Sequence, residues 1–516
     1  MNNSDLSQNV FSFLRQAGVN QVVVCAGARN APLVMTLDKK EFKVYNFFEE
    51  RSAAFFALGL IKAHSRPVAV LTTSGTAAAE LLPAAIEATY QGLPLVLVTA
   101  DRPKNYRGTG SPQTIDQVGL FKNYVENEYD LDVHTKNFSF KWGYQKPIHL
   151  NVSFDEPLMD KPTQSPAPVK IEKTIFEHEL SLNKFTGSRP LIVLGEIETH
   201  HHQRVIEFIL ATQAPVYAET LSGLRYRSSL EPYLLRSSDQ LVREVFEQEL
   251  CDSVIRIGGV PTLRFWRDLE KEFNDVPVVN YTDLPYSGLS RSTIQIEIEM
   301  LNPFQQFPAD VWSLIKKMDG KLQHKKEKLF VKYPHSEQAL NFHLSQIVGT
   351  EALYLGNSLP IRNWDQFAIA CSRYVYANRG ANGIDGQIST YLGWSQNKPN
   401  SYCVIGDLTA MYDMAAFGLT PQLEQQKRHV IIFNNFGGQI FKRVFKGNQT
   451  FINPHNTQFY HLAKMWNWSY LLVSSLEDLE KIKSFNTPNV MIEIVPDAKE
   501  TENFWKDWDD LCKQIY

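Results

Sequence analysis

SYCVIGDLTA (401–410) and, one helical segment later, HVIIFNNFGGQIF (429–441) are two short apolar runs, each closed by polar residues or glycine. Strands of this kind joined by a helix-length connection read as neighbouring members of a parallel α/β sheet, whose strand ends present ligands. The residues closing them suit a cation and a phosphate. Magnesium prefers hard oxygen ligands and bridges a carboxylate to phosphate oxygens. Asp407 offers the carboxylate, Asn435 a side-chain oxygen, and Gly437 a backbone carbonyl. Glycine lets backbone approach an anion without a Cβ in the way, and a helix beginning after Asp407 turns amides toward the same charge. Taken singly, Gly-Asp or Asn-Asn after a strand only opens a tight turn; the pair, separated by one helix, is the informative feature.

The same alternation extends outward. VVVCAG (22–27), KVYNFF (43–48), PVAVLTT (67–73) and PLVLVTA (94–100) read as strands, and TAAAELLPAAIEATYQ (76–91) as a helix. Residues 155–185, with EPLMDKPTQSPAPVK, are proline-rich and read as a linker without regular structure. A second series follows in RPLIVLGE, APVYAET (214–220), DSVIRIGG (252–259) and VPVVNYTD (276–283), with a helix over LVREVFEQEL (241–250). KKMDGKLQHKKEKLFVKYPH (316–335) reads as a solvated helix and connector. A third series runs through EALYLGN, SYCVIGD, HVIIFNN and NVMIEIV. The fold class is therefore α/β, with mainly parallel sheets in three consecutive domains at 1–180, 181–335 and 336–516. Three domains also suit 516 residues, because single cores stop growing near about 250–300 residues.

Composition narrows the function. A net charge of -4 without a long basic run argues against nucleic-acid binding. Five scattered cysteines without a CxxC pair indicate neither a disulfide framework nor a zinc site. The N-terminus lacks a signal-peptide pattern, and no apolar stretch reaches about 18 residues, so the expectation is a cytoplasmic protein without membrane insertion. His200, His201 and His202 precede a helix, where adjacent side chains diverge; they read as a solvated helix start. No GxGxxG after a strand, GxxxxGK[ST] or GxSxG is present.

Gly406, Asp407, Asn435 and Gly437 together resemble the binding motif of thiamine-diphosphate decarboxylases and carboligases. Leu408 stands where many members have glycine, a variation that the menaquinone-pathway branch tolerates. NFFEERSAAFFALGLIKAHSRPVAVLTTSGTAA (46–78) resembles the segment of that superfamily carrying the carboxylic acid beside N1′ of the cofactor, here Glu50, with Ser74 and Gly75 in the turn that borders it. Glu49 reads as ordinary helix N-terminal charge. CAGARNAPL (25–33), TADRPKNYRGTGSPQTIDQVGLF (99–121), GNSLPIRNWD (356–365) and NRGANGIDGQIST (378–390) are similar to four segments of the menaquinone-pathway synthases that join 2-oxoglutarate to isochorismate. Ala28 replaces the usual serine before the first arginine.

This resemblance implies substrate contacts at Arg29, Arg107, Gln117, Ser358, Arg362, Arg379 and Phe441, with Gln117 a candidate for proton transfer. Both substrates are dicarboxylates, and the guanidinium fork suits carboxylates. It implies cofactor contacts at Glu50, Ser74, Gly75, Ile384, Gly406, Asp407, Leu408, Asn435, Gly437, Gly438, Gln439 and Ile440. Ile384 would wedge the cofactor into its bent form. The metal, Mg2+ or Mn2+, falls to Asp407, Asn435 and Gly437. The three domains become pyrimidine-binding, central and diphosphate-binding, in a homodimer or homotetramer with active sites between subunits. The implied reaction is decarboxylation of 2-oxoglutarate and addition of the succinyl carbanion to isochorismate, giving 2-succinyl-5-enolpyruvyl-6-hydroxy-3-cyclohexene-1-carboxylate and CO2. An acetohydroxyacid-synthase-like carboligase and a non-catalytic cofactor-binding regulator are the alternatives; the first has no need of so many carboxylate-binding arginines, and the second has no need of Glu50 for N1′ activation.

Overall fold

Apolar runs buried on both faces become parallel strands, because only a sheet covered by helices on each side hides them. The computed structural model describes residues 1–174, 187–302, 305–369, 372, 374–445 and 448–513. One compact unit comprises Met1–Phe176, Asn378–Pro399 and Thr409–Gln426; the other comprises Glu177–Ala377, Asn400–Leu408 and Lys427–Tyr516.

In the first unit the strands are β1 (Gln21–Val24), β2 (Lys43–Asn46), β3 (Val68–Thr72), β4 (Leu95–Asp101), β5 (Asn127–Leu131), β6 (Phe138–Lys141), β7 (Ile148–Ser153) and β8 (Val169–Glu172). Six form a sheet in the order β2-β1-β3-β4-β7-β5, and β6 pairs with β8. Every pairing is parallel. Val22, Leu71, Val96 and Leu150 meet Phe13, Phe140 and Trp142 in one core. The helix predicted over 76–91 divides into Thr76–Ala79 and Leu82–Gln91, with Pro83 in the opening turn of the second piece, where its missing N–H costs nothing. The helix Glu50–His64 crosses the helix Gln387–Trp394 at two glycines. A Cβ on Gly59 would lie 2.0 Å from Thr390 O, and one on Gly393 would lie 2.2 Å from Phe56 O.

The second unit holds two sheets. β9 (Pro190–Leu194), β10 (Val216–Ala218), β11 (Ser253–Ile257), β12 (Val278–Tyr281) and β13 (Ile294–Ile296) lie in the order β10-β9-β11-β12-β13. β14 (Ala352–Leu355), β15 (Val375–Tyr376), β16 (Asn400–Gly406), β17 (Lys427–Phe433), β18 (Ser469–Val473) and β19 (Asn489–Ile494) lie in the order β15-β14-β16-β17-β19-β18. These too are parallel throughout. The α/β class read from the sequence is thus the class of the fold.

Each large sheet begins with the same excursion: its first strand has the second on one side and the third on the other. The crevice where chain direction reverses, at the carboxyl ends of the first and third strands, is where open α/β sheets receive ligands.

Three local readings are corrected. The 155–185 stretch contains β8, which extends along β6 through Val169 and Ile171; residues 175–185 of that stretch lie outside the described residues. The 316–335 stretch belongs to a helix, Ala309–Lys332, with a buried face of Ile315, Met318, Leu322, Leu329 and Phe330. On that face Lys326 donates to the carbonyls of Arg236, Ser237 and Gln366, and burial pushes its ammonium down to about 7. His201 and His202, read as solvated, are buried.

Cys25, Cys251, Cys403 and Cys512 are buried; Cys371 lies outside the described residues. Among the described residues no helix is long and apolar enough to cross a membrane.

Candidate active site

Most candidate residues of the first unit follow the carboxyl ends of its strands. After β1, Gly27 N–H donates to Asn30 Oδ1, and Asn30 Nδ2 donates to Cys25 O, closing the turn that carries Arg29. Arg29 is buried, donates to Phe154 O at 3.1 Å, and lies 3.6 Å from Glu156. After β3, Ser74 is buried and Gly75 has φ +83°, a conformation that favours glycine. Gly75 N–H donates to Gln117 Oε1 at 2.9 Å, while Gln117 Nε2 donates to Ala100 O and Asn151 Oδ1. Gln117 is fully buried, and these three bonds make it a brace for the Ser74–Gly75 turn. Beyond β4, Arg107 makes two bonds to Asp130, at 2.8 and 2.9 Å, and a third to Asp101 at 3.1 Å.

Glu50 opens its helix after β2. Glu49 is the N-cap, accepting from the amides of Arg51 and Ser52, which is the helix-start role read for it from sequence. Burial raises the Glu50 carboxyl, and the neighbouring charges of Glu49 and Glu80 add to the effect. A carboxyl biased toward its protonated form can share a proton with a ring nitrogen. The start of this helix is tied down by Asp413, which accepts from Ser52 Oγ at 3.0 Å and from Ser389 N and Oγ at 2.7 and 2.9 Å. The loop carrying Arg379 and Ile384 is anchored by buried Glu87, which accepts from the amides of Gly380 and Ala381, both at 2.7 Å.

The second unit gathers the rest at the carboxyl ends of three adjacent strands. Ser358 follows β14 with φ +74°, and its carbonyl accepts from Arg362 Nη1 at 2.7 Å. Gly406 ends β16. The next residue, Asp407, accepts from Leu408 N at 2.6 Å and from Gly437 N at 2.9 Å; its carboxyl is raised by burial despite those bonds. After β17, Asn435 Nδ2 donates to Glu337 Oε2 at 3.0 Å. With its nitrogen committed, the amide has its oxygen available to a cation. Gly437 has φ +134°, and a Cβ there would lie 2.5 Å from Ile452 O. Gly438 N–H donates to Ile452 O. Asn435, Gln439, Ile440 and Arg362 line one cavity of ≈790 Å³. Phe441 is 41% exposed and packs with Phe445 and Phe451.

Two residues here escape sequence reading. Glu337 bridges Asn435 and Asn363, the second at 2.7 Å, and burial pushes its carboxyl up to about 7. His455 Nε2 lies 3.3 Å from Asp407 Oδ2. Neither belongs to a local motif; Glu337 looks like any acidic residue in a first helical turn, and His455 like any loop histidine.

Asp407, Asn435 and Gly437 supply three hard oxygens, a donor set that fits Mg2+ or Mn2+. The raised carboxyl of Glu50 fits an aminopyrimidine nitrogen. The residues present therefore suit thiamine diphosphate and its divalent cation.

Comparison with known proteins agrees on thiamine diphosphate. The family model for the thiamine pyrophosphate enzyme N-terminal TPP binding domain matches residues 4–120. Fold and match together define the class, a thiamine-pyrophosphate enzyme. A Bdellovibrio bacteriovorus protein named 2-succinyl-5-enolpyruvyl-6-hydroxy-3-cyclohexene-1-carboxylate synthase is 43% identical over 532 aligned residues, covering 100% of each chain. Proteins of the same name from Akkermansia muciniphila and Staphylococcus epidermidis are 36% and 29% identical, covering 94% and 97% of this chain and 95% and 96% of theirs. The chain belongs to the 2-succinyl-5-enolpyruvyl-6-hydroxy-3-cyclohexene-1-carboxylate synthase family.

Proposed function

We propose that this chain is a cytoplasmic transferase of the carboligase type in menaquinone biosynthesis, releasing CO2 from 2-oxoglutarate and joining the remaining four-carbon unit to isochorismate. The product is 2-succinyl-5-enolpyruvyl-6-hydroxy-3-cyclohexene-1-carboxylate. The observation that carries this reading is full-length similarity to proteins bearing that product's name. Thiamine diphosphate, when bound, supplies the electron sink that permits decarboxylation and carbon–carbon bond formation.

The chain's own residues do the rest. Asp407, Asn435 and the Gly437 carbonyl hold Mg2+ or Mn2+. Gly406, Leu408, Gly438, Gln439 and Ile440 shape the diphosphate end, and Ser74, Gly75 and Ile384 the other. Glu50 holds a proton at the aminopyrimidine nitrogen, a role supported by its raised carboxyl. Arg29, Arg107, Arg362 and Arg379 receive the substrate carboxylates with Ser358, and Phe441 adds an apolar wall. Gln117 acts through the turn it braces, since both of its N–H groups and one lone pair of its oxygen are engaged there. Domains 1–180, 181–335 and 336–516 serve as pyrimidine-binding, central and diphosphate-binding parts. In a homodimer or homotetramer, Glu50 of one chain meets cofactor held by Asp407 and Asn435 of another.

The test is CO2 release from 2-oxoglutarate by the purified protein with thiamine diphosphate and Mg2+, with and without isochorismate. Isochorismate-dependent release that Glu50→Gln abolishes is expected. Release from pyruvate instead, or from neither acid, overturns the reading.

A further inference from the structure

The five-stranded sheet β10-β9-β11-β12-β13 has the same reversal of chain direction as the other two sheets, yet none of the catalytic residues above lies on it. At its carboxyl edge, two glycine contacts bring the loops after β9 and β11 together. A Cβ on Gly195 would lie 2.2 Å from Gly259 O, and one on Gly258, with φ +90°, would lie 2.3 Å from Glu196 O. Beyond this contact the loop after β9 carries His200 and His201, the loop after β12 carries Asp283, and the turn after β13 carries Glu299. The imidazoles of His200 and His201 do not diverge as adjacent residues on a regular helix would; their ring centroids are 3.8 Å apart.

His201 is 3% exposed. Its Nε2 lies 2.8 Å from Asp283 Oδ2; in the tautomer with the proton on Nε2, Nδ1 is a lone-pair donor. Nδ1 has no hydrogen-bond partner, although Glu299 Oε1 is 3.2 Å away. Arg204 Nη2 holds the other oxygen of Glu299 at 3.0 Å. One donor atom each from His200, His201 and Glu299 lies within 4.8 Å of the others. Two ligands of a tetrahedral ion with bonds near 2.0–2.1 Å are about 3.3 Å apart, which matches the His201–Glu299 separation. Carboxylate–histidine–metal relays have this construction: the outer carboxylate fixes the tautomer and strengthens the inner nitrogen as a donor.

We propose that His200, His201 and Glu299 form a second metal site, with Asp283 as the outer partner of His201. Two imidazoles and one carboxylate select a borderline transition ion such as Zn2+ over Mg2+. The ion would staple the loop after β9 to the turn after β13, and a fourth position would remain for water or another ligand. The proposal does not depend on the catalytic reading, because it uses none of those residues.

The experiment uses full-length protein freed of metal by chelation and titrated with Co2+ alone, followed by displacement with Zn2+. One equivalent per chain should bind with the intense visible absorption of four-coordinate cobalt, and Zn2+ should raise the unfolding temperature. His200→Ala and Glu299→Gln alter exposed side chains and should each weaken binding at least tenfold and abolish the thermal shift. Asp407→Asn should leave both signals intact. Absence of saturable binding, a six-coordinate spectrum, or equal binding by wild type, His200→Ala and Glu299→Gln overturns the proposal and leaves the cluster an ion-pair network around His201.

Discussion

Glu337→Gln is the sharpest perturbation of the proposed metal site, because it exchanges one oxygen for an NH2 and changes almost no volume. Glu337 accepts from two amide nitrogens, Asn435 Nδ2 at 3.0 Å and Asn363 Nδ2 at 2.7 Å. Burial pushes its carboxyl to about 7, so an assay at pH 8 keeps it mainly charged, with both oxygens accepting. A glutamine has one oxygen and one NH2 and cannot accept from both asparagines, so one amide must turn over or lose its bond. If Asn435 turns, its NH2 replaces the oxygen offered to the cation. A hydrogen bond to a charged group contributes about 1.5–3 kcal/mol, and loss of an outer-shell partner typically weakens metal affinity about 10–100-fold. Calorimetric titration of thiamine diphosphate at fixed Mg2+ should show a loss of that size. Asn363→Ala, which leaves the Asn435 bond in place, should change the affinity by no more than about threefold on the same reasoning. A folded Glu337→Gln protein whose Kd stays within about twofold of wild type would refute the argument that this carboxylate orients the metal ligand.

Glu50→Gln should lower the decarboxylation rate by at least about 10²-fold, the usual scale for losing a proton-handling group, while cofactor affinity measured by fluorescence quenching changes little. Arg107→Ala strips the cation from buried Asp101 and from Asp130; partial exposure of Arg107 reduces the cost to about 1–3 kcal/mol, read by urea denaturation. Arg29→Ala should impair isochorismate use without that stability loss. Burial raises Asp413 to about 6. An acid raised in the folded state binds more protons there than when unfolded, so its contribution to stability falls as pH rises from about 4 to 6 and is flat above, by up to about 3 kcal/mol. Asp413→Asn, whose amide can still accept from Ser389 N and donate to the serine hydroxyls, should flatten that part of a denaturation-versus-pH series. Gly437→Ala forces a side chain into φ +134° and to 2.5 Å from Ile452 O, and should cost about 1–3 kcal/mol in thermal unfolding.

Legibility in the sequence followed locality. The strands ending at Thr72, Gly406 and Phe433 each close on an apolar run, and the candidate site residues follow within a few positions. Their alternation with helices was enough for the α/β class. β8 is hidden because its run, VKIE, alternates over only four residues and is set in a proline-rich stretch; pairing with β6 creates it. The buried stripe of the helix Ala309–Lys332 was masked by its lysines, one of which, Lys326, is itself enclosed and bonded to three carbonyls. Glu337 and His455 gain meaning only from the residues opposite them, which are distant in the chain. Regular helical geometry makes three consecutive histidines diverge, but the short 3-10 turn Thr199–His201 places two of the rings side by side.

The crossing of Gly59 and Gly393 also bears on how variants of this chain should be interpreted. At either position even the smallest side chain meets a carbonyl oxygen on the facing helix, so the two residues form a lock whose halves must both stay bare. Alanine scanning would score both as essential, in the same column as Glu50, although neither offers a functional group. Glycine retained at both positions in a set of related sequences therefore records the fit of two surfaces and carries no information about substrate. Paired retention is the diagnostic: residues that answer to a ligand can vary with that ligand, whereas these two can change only together with the spacing of their helices.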